Sequence, residues 1–186
     1  MPAAEAAIFV SINHLPGWLS PLFSVGGQLG NFVAIPAAAL VALAARRPHL
    51  SALLALGAGL AYVLAKLVKY FVERGRPDEY LAGVVVRGAR QTGLGFVSGH
   101  AAVIAALATA ATPYLPRAFR WVPWFLLALV CASRVYVGAH LPLDVLAGAA
   151  IGYLCAVAAK LLLAAPPFRQ RARPDRRLQE ERALHG

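Results

Sequence analysis

Long apolar runs, broken at short intervals by polar or helix-breaking residues, make up most of this chain. Residues 3–15 form the shortest of them. Ile8, Phe9, Ile12 and Leu15 recur there at helical spacing beside Glu5, Asn13 and His14, which predicts an interfacial helix too short to cross a membrane. Pro16-Gly17 ends it. Apolar stretches then cover Leu19–Ala45, His49–Val72, Ser98–Tyr114, Trp121–Val137 and Leu143–Ala165. A bilayer takes about 20 apolar helical residues, so these five predict transmembrane helices. Gly26-Gly27, Gly30 and Pro36 predict a kink or a broken start in the first. Residues 74–97 are the one sizeable polar stretch between spans and predict a loop over the membrane surface. The fold class expected is all-α, a polytopic membrane helix bundle of about five transmembrane helices. A single domain is expected over 1–168, with the interfacial helix at 1–16 and a basic tail at 169–186.

Composition narrows the class further. The chain is 60% hydrophobic and 14% charged, with a mean hydropathy of +0.64, against about 25% charged residues in an ordinary soluble domain. The net charge of +10 could suggest nucleic acid, but its distribution argues for a membrane surface. Six arginines crowd the last eighteen residues (Arg169, Arg171, Arg173, Arg176, Arg177 and Arg182), and Arg46, Arg47, Arg117 and Arg120 fall on the same side of the predicted spans. Arg74, Arg76, Arg87 and Arg90 fall on the other side, offset by Asp78 and Glu79. The positive-inside rule makes the first set cytoplasmic and the second extracytoplasmic. The partners expected are membrane lipids and no nucleic acid. Cys131 and Cys155 lie inside apolar runs without metal-ligand spacing and read as core residues. Residues 1–15 hold no Lys or Arg, so no signal peptide is expected from them.

Three polar clusters stand at the ends of the predicted spans, all on the extracytoplasmic side: Lys69-x6-Arg76-Pro77, Ser98-Gly99-His100, and Ser133-Arg134-x5-His140-x3-Asp144. Ionisable groups at such depths are functional candidates by default. Ser98 is a good N-cap for the Ala-rich helix behind it, and free amides plus the helix dipole favour an anion there. Gly99 lets an anion approach the backbone. His140 and Asp144, four apart, can meet on one face, where a carboxylate would fix the imidazole tautomer. Arg134 and Arg76 are fixed-charge forks suited to phosphate oxygens. Lys69 could instead snorkel outward or pair with Glu73. Arg87 and Arg90 could touch a headgroup or be solvated. Tyr136 could line the site or pack in the core. His14, His49 and His185 match no motif.

In order and internal spacing, these clusters resemble the three-part signature of the type 2 phosphatidic acid phosphatase family, and the resemblance covers about residues 20–165. It departs at Val97, where the family usually has Pro before Ser-Gly-His. The resemblance implies a membrane-embedded lipid phosphatase. His140 would be the nucleophile that forms a phospho-histidine, and Asp144 would orient it. His100 would protonate the leaving oxygen and then activate water. Lys69, Arg76, Ser98, Gly99 and Arg134 would bind the phosphate. No cofactor and no metal are implied. Among substrates, a polyprenyl diphosphate is favoured over phosphatidylglycerol phosphate or phosphatidic acid. A catalytically silent lipid-binding or scaffold protein is the non-enzyme alternative. Transport is disfavoured, because transport sites lie near the bilayer midplane and these groups gather at one face.

Overall fold

The computed structural model describes residues 1–89 and 91–164, so the basic tail, His185 and Arg90 lie outside the described residues. Eight α-helices run through them: α1 (Ala3–Asn13), α2 (Ser20–Gln28), α3 (Ala34–Ala44), α4 (Pro48–Val72), α5 (Pro77–Tyr80), α6 (Gly99–Ala111), α7 (Val122–Tyr136) and α8 (Pro142–Ala164). No strand forms among the described residues. The chain folds as an all-helical membrane bundle. Three apolar stretches, Pro48–Tyr80, Arg117–Tyr136 and Pro142–Ala164, are long enough to cross a membrane.

The first expected span is two helices, α2 and α3, parted by turns at residues 29–33. Gly26, Gly27 and Gly30 mark that break. The third is shorter than expected: α6 has 13 residues, about 20 Å of helix. It sits at the middle of the bundle against α4, α7 and α8, with every residue from Ala101 to Ala106 buried. Protein rather than lipid surrounds it, so its length need not match the hydrocarbon thickness.

α6 and α8 approach closely because α8 carries Gly148-x3-Gly152 opposite Ser98, Ala101, Ala102 and Ala105. A Cβ at Gly152 would run into the Ala102 carbonyl oxygen, and one at Gly148 into the Ser98 carbonyl oxygen. Small residues at such spacing let backbones pack tightly where lipid provides no hydrophobic drive. Large apolar side chains point outward instead, among them Leu40, Val41, Val63, Leu67, Phe71, Leu146, Leu154 and Leu161, as a lipid-facing surface requires.

α1 buries a face rotated from its apolar stripe, with Phe9 common to both. Glu5, Phe9 and Asn13 are buried, whereas Ile8 is 51% and Leu15 37% exposed. Asn13 Nδ2 donates to the Val85 and Tyr136 carbonyls, and its Oδ1 accepts from Val85 N at 2.9 Å. Arg87 donates to the carbonyls of Asn13, Leu15 and Tyr136, and stacks 4.0 Å from the Tyr136 ring. The 74–97 segment is thereby tied to α1 and to the end of α7. Arg87 is a structural clamp rather than a solvated residue, and Tyr136 is wholly buried core.

Candidate active site

α4 and α7 end, and α6 and α8 begin, at the same end of the bundle, which gathers all three clusters. Lys69 lies in the last turn of α4 and Arg134 in the last turn of α7. Ser98 is the N-cap of α6, followed by Gly99 and His100 in its first turn. Asp144 is in the first turn of α8. His140 sits in the turn between α7 and α8, ahead of the helix rather than on its face. Its N–H donates to the Arg134 carbonyl at 3.2 Å, which joins the two residues through the backbone.

Arg76 is the most connected cation. Its Nη1 donates to the Ala139 carbonyl at 2.6 Å and lies 3.4 Å from His140 Nε2, while Nε donates to the Gly93 carbonyl. Glu79 Oε1 accepts from the Arg76 N–H at 2.9 Å, which pins the backbone at the start of α5. Lys69 Nζ donates to the carbonyls of Leu94 and Gly95; it points into the loop, and no Lys69–Glu73 pair forms among the described residues. Ser98 is fully buried, and its Oγ accepts from Ala101 N at 3.5 Å. The cap expected of Ser98 is therefore present with Val97 before it, but that hydroxyl faces the helix rather than an open pocket. The Ser98 N–H donates to the Asp144 carbonyl, which locks the start of α6 onto α8.

The His140–Asp144 pair differs from expectation. Nδ1 and Oδ2 are 3.7 Å apart, too far for a hydrogen bond. The Asp144 carboxylate instead accepts from Leu141 N at 2.8 Å and from Arg74 Nη1 at 2.9 Å. His140 Nδ1 and Arg134 Nε are buried without a hydrogen-bond partner among the described residues. Lys69, Arg76 and Arg134 are all near enough for their charges to act on His140. Burial, with these cations, pushes the His140 imidazole down to about 3, against the opposing pull of Asp144. The ring is held neutral. A cavity of about 230 Å³, lined in part by Gln28, Arg87, Gln91 and Arg134, touches the cluster at Arg134 and is not lined by His100 or His140.

The cluster thus holds two histidines, a carboxylate, three cations and a helix start. A model of the PAP2 superfamily matches residues 50–168, which contain every one of these groups. The chain belongs to the PAP2 superfamily. It is 33% identical over 125 residues to the undecaprenyl-diphosphatase of Sulfolobus acidocaldarius, a match that covers 65% of this chain and 59% of that relative. The crystal structure of Aquifex aeolicus LpxE is similar, with a TM-score of 0.78 at 25% identity over 85% of this chain and 95% of that one. A transmembrane PAP2-type phosphatidylglycerolphosphate phosphatase from Bacillus subtilis shares the fold, with a TM-score of 0.67 at 24% identity over 93% and 88% of the two chains.

Two residues that the sequence patterns left aside stand inside the PAP2 cluster, Arg74 and Glu5. Arg74 bridges Asp144 to Glu5, and Glu5 is 5% exposed. Glu5 carried a readable signal. An acidic side chain in an otherwise apolar interfacial helix needs a partner.

Proposed function

We propose that this PAP2 member is a membrane-embedded, metal-independent phosphatase of lipid phosphates or diphosphates, acting through a phospho-histidine on His140. The observation that carries the reading is the setting of the His140 ring, with Nε2 toward Arg76 and Nδ1 toward Asp144. A neutral imidazole so turned can attack phosphorus with Nε2. The positive charge that develops on the ring is then stabilised by the carboxylate behind it. His100, at the start of α6, is within electrostatic range of Lys69 and Arg134. It donates a proton to the departing lipid oxygen, then takes one from the water that cleaves the phospho-histidine. Lys69, Arg76, Arg134 and the Gly99 amide neutralise the phosphoryl oxygens. Phosphoryl transfer is mostly positioning and charge stabilisation, so this set needs no divalent ion.

A site at one end of the bundle suits a substrate whose headgroup is in water and whose tail is in lipid. The Sulfolobus acidocaldarius relative is an undecaprenyl-diphosphatase, which favours a polyprenyl diphosphate here. Phosphatidylglycerol phosphate and phosphatidic acid are the alternatives. The test is phosphate release by the detergent-purified protein from these three lipids, with EDTA present. We expect release from at least one, and a loss of at least about 1,000-fold in His140→Ala. Equal release by that variant rules out the phospho-histidine. Loss of activity in EDTA rules out the metal-free route.

A further inference from the structure

Asp144 is gripped from the side away from His140. One arm of the Arg74 guanidinium donates to Asp144 Oδ1 at 2.9 Å, and the other donates to Glu5 Oε2 at 2.7 Å. Glu5 Oε1 in turn accepts from Leu143 N at 3.1 Å, one residue before Asp144. The side chains of Asp144 and Glu5 are 0% and 3% exposed. A carboxylate–guanidinium–carboxylate bridge therefore joins α1, the segment that follows α4, and the first turn of α8. Arg74 fills an unspecified position between Lys69 and Arg76, and Glu5 lies outside the three clusters.

The geometry assigns Arg74 and Glu5 a further role in the phosphatase reaction, as positioning residues for Asp144 and, through it, for His140. The inference rests on His140 being the nucleophile. A carboxylate held only by the Leu141 N–H on Oδ2 could rotate about its Cβ–Cγ bond. The planar fork of Arg74 on Oδ1 fixes the plane of the group, and with it the direction of Oδ2 toward the ring. The present 3.7 Å from Oδ2 to Nδ1 then closes by a small movement of the ring alone. Glu5 is needed because a guanidinium held by one arm alone could swing off Asp144 Oδ1. With Glu5 on the second arm, Arg74 stays on Asp144. A lysine at position 74 would supply charge without the fork.

The experiment compares Arg74→Lys, Arg74→Gln, Glu5→Gln and Asp144→Asn, with the double variant Arg74→Gln/Asp144→Asn. The probe is farnesyl diphosphate in detergent micelles, read as phosphate release, with tryptophan-fluorescence melting beside it. Arg74→Lys should lose about 10- to 100-fold in kcat, the scale of a misplaced catalytic group, with KM within about twofold. Glu5→Gln should lose less, about 3- to 10-fold, in the same pattern. Melting temperatures of both should stay near wild type. In the Asp144→Asn background Arg74→Gln should change kcat by less than about twofold, because a residue that acts only through Asp144 has nothing left to position. An unchanged kcat in Arg74→Lys, a rise in KM alone, or full additivity in the double variant overturns the inference. If Arg74→Gln does not fold, Arg74→Lys and Glu5→Gln still decide it. A wild-type protein no better than His140→Ala on this probe, on phosphatidylglycerol phosphate and on phosphatidic acid removes the phosphatase reading and the bridge together. A wild type that turns over beside an unaffected Arg74→Lys removes the bridge alone.

Discussion

Two of the three cations around His140, Arg76 and Lys69, are held by groups that have nothing to do with phosphate. Arg76 is tied to Ala139, Gly93 and Thr92 carbonyls, and Lys69 to those of Leu94 and Gly95. Such tethers place the charges before substrate arrives, so little reorganisation is needed during the reaction. Arg76→Ala should accordingly lower kcat/KM by about 100- to 1,000-fold in steady-state phosphate release, with most of the loss in kcat. Arg134→Lys keeps a charge but not the fork, and should lose at least about 10-fold in the same assay. All eight site residues expected from the motifs meet at one end of the bundle. Arg74 escaped because it fills one of the unspecified positions between Lys69 and Arg76, and Glu5 because it lies in no cluster. They are 69 residues apart, and only folding makes them neighbours. Likewise the i,i+4 spacing of His140 and Asp144 could not reveal that Leu141 and Arg74 hold the carboxylate.

The helices were legible to different degrees. α4, α7 and α8 follow the apolar runs closely, since a span in lipid must satisfy its own backbone and stay apolar outward. α1 was legible as a helix but not as a face, because what it buries is set by the partners Arg74, Val85 and Tyr136. Asn13→Ala would strip the Val85 N–H and two carbonyls of their shared partner, at a cost of about 1–3 kcal/mol. Hydrogen exchange should then speed up across residues 82–88 and leave α6 unchanged. The α6–α8 contact depends on the missing side chains of Gly148 and Gly152. Gly152→Leu forces the helices apart and should destabilise the bundle by at least about 1–3 kcal/mol, read as a lower melting temperature. Activity should fall with it, since Ser98 and Asp144 are joined across that contact.

At the scale of the whole molecule the site end and the opposite end carry different surfaces. The loop 81–89 covers the first, and the turn at Arg117–Arg120 belongs to the second. On the positive-inside bias we propose that the site faces away from the cytoplasm. In intact cells a membrane-impermeant maleimide should label Ala82→Cys, whereas Ala118→Cys should react only after permeabilisation. Both positions are exposed. The sequence by itself determined the helical class, the membrane setting and the candidate site residues. Those follow from apolar run length, from the cost of charge in lipid and from motif order, all of which are local or near-local properties of the chain. Tertiary structure alone decided how the first span divides, that α6 is sheathed by protein, which face of α1 is buried, and that Asp144 answers to Arg74 and Glu5. These depend on contacts between residues far apart in the chain. No pattern along one dimension encodes the distance between a buried carboxylate and the guanidinium that settles beside it.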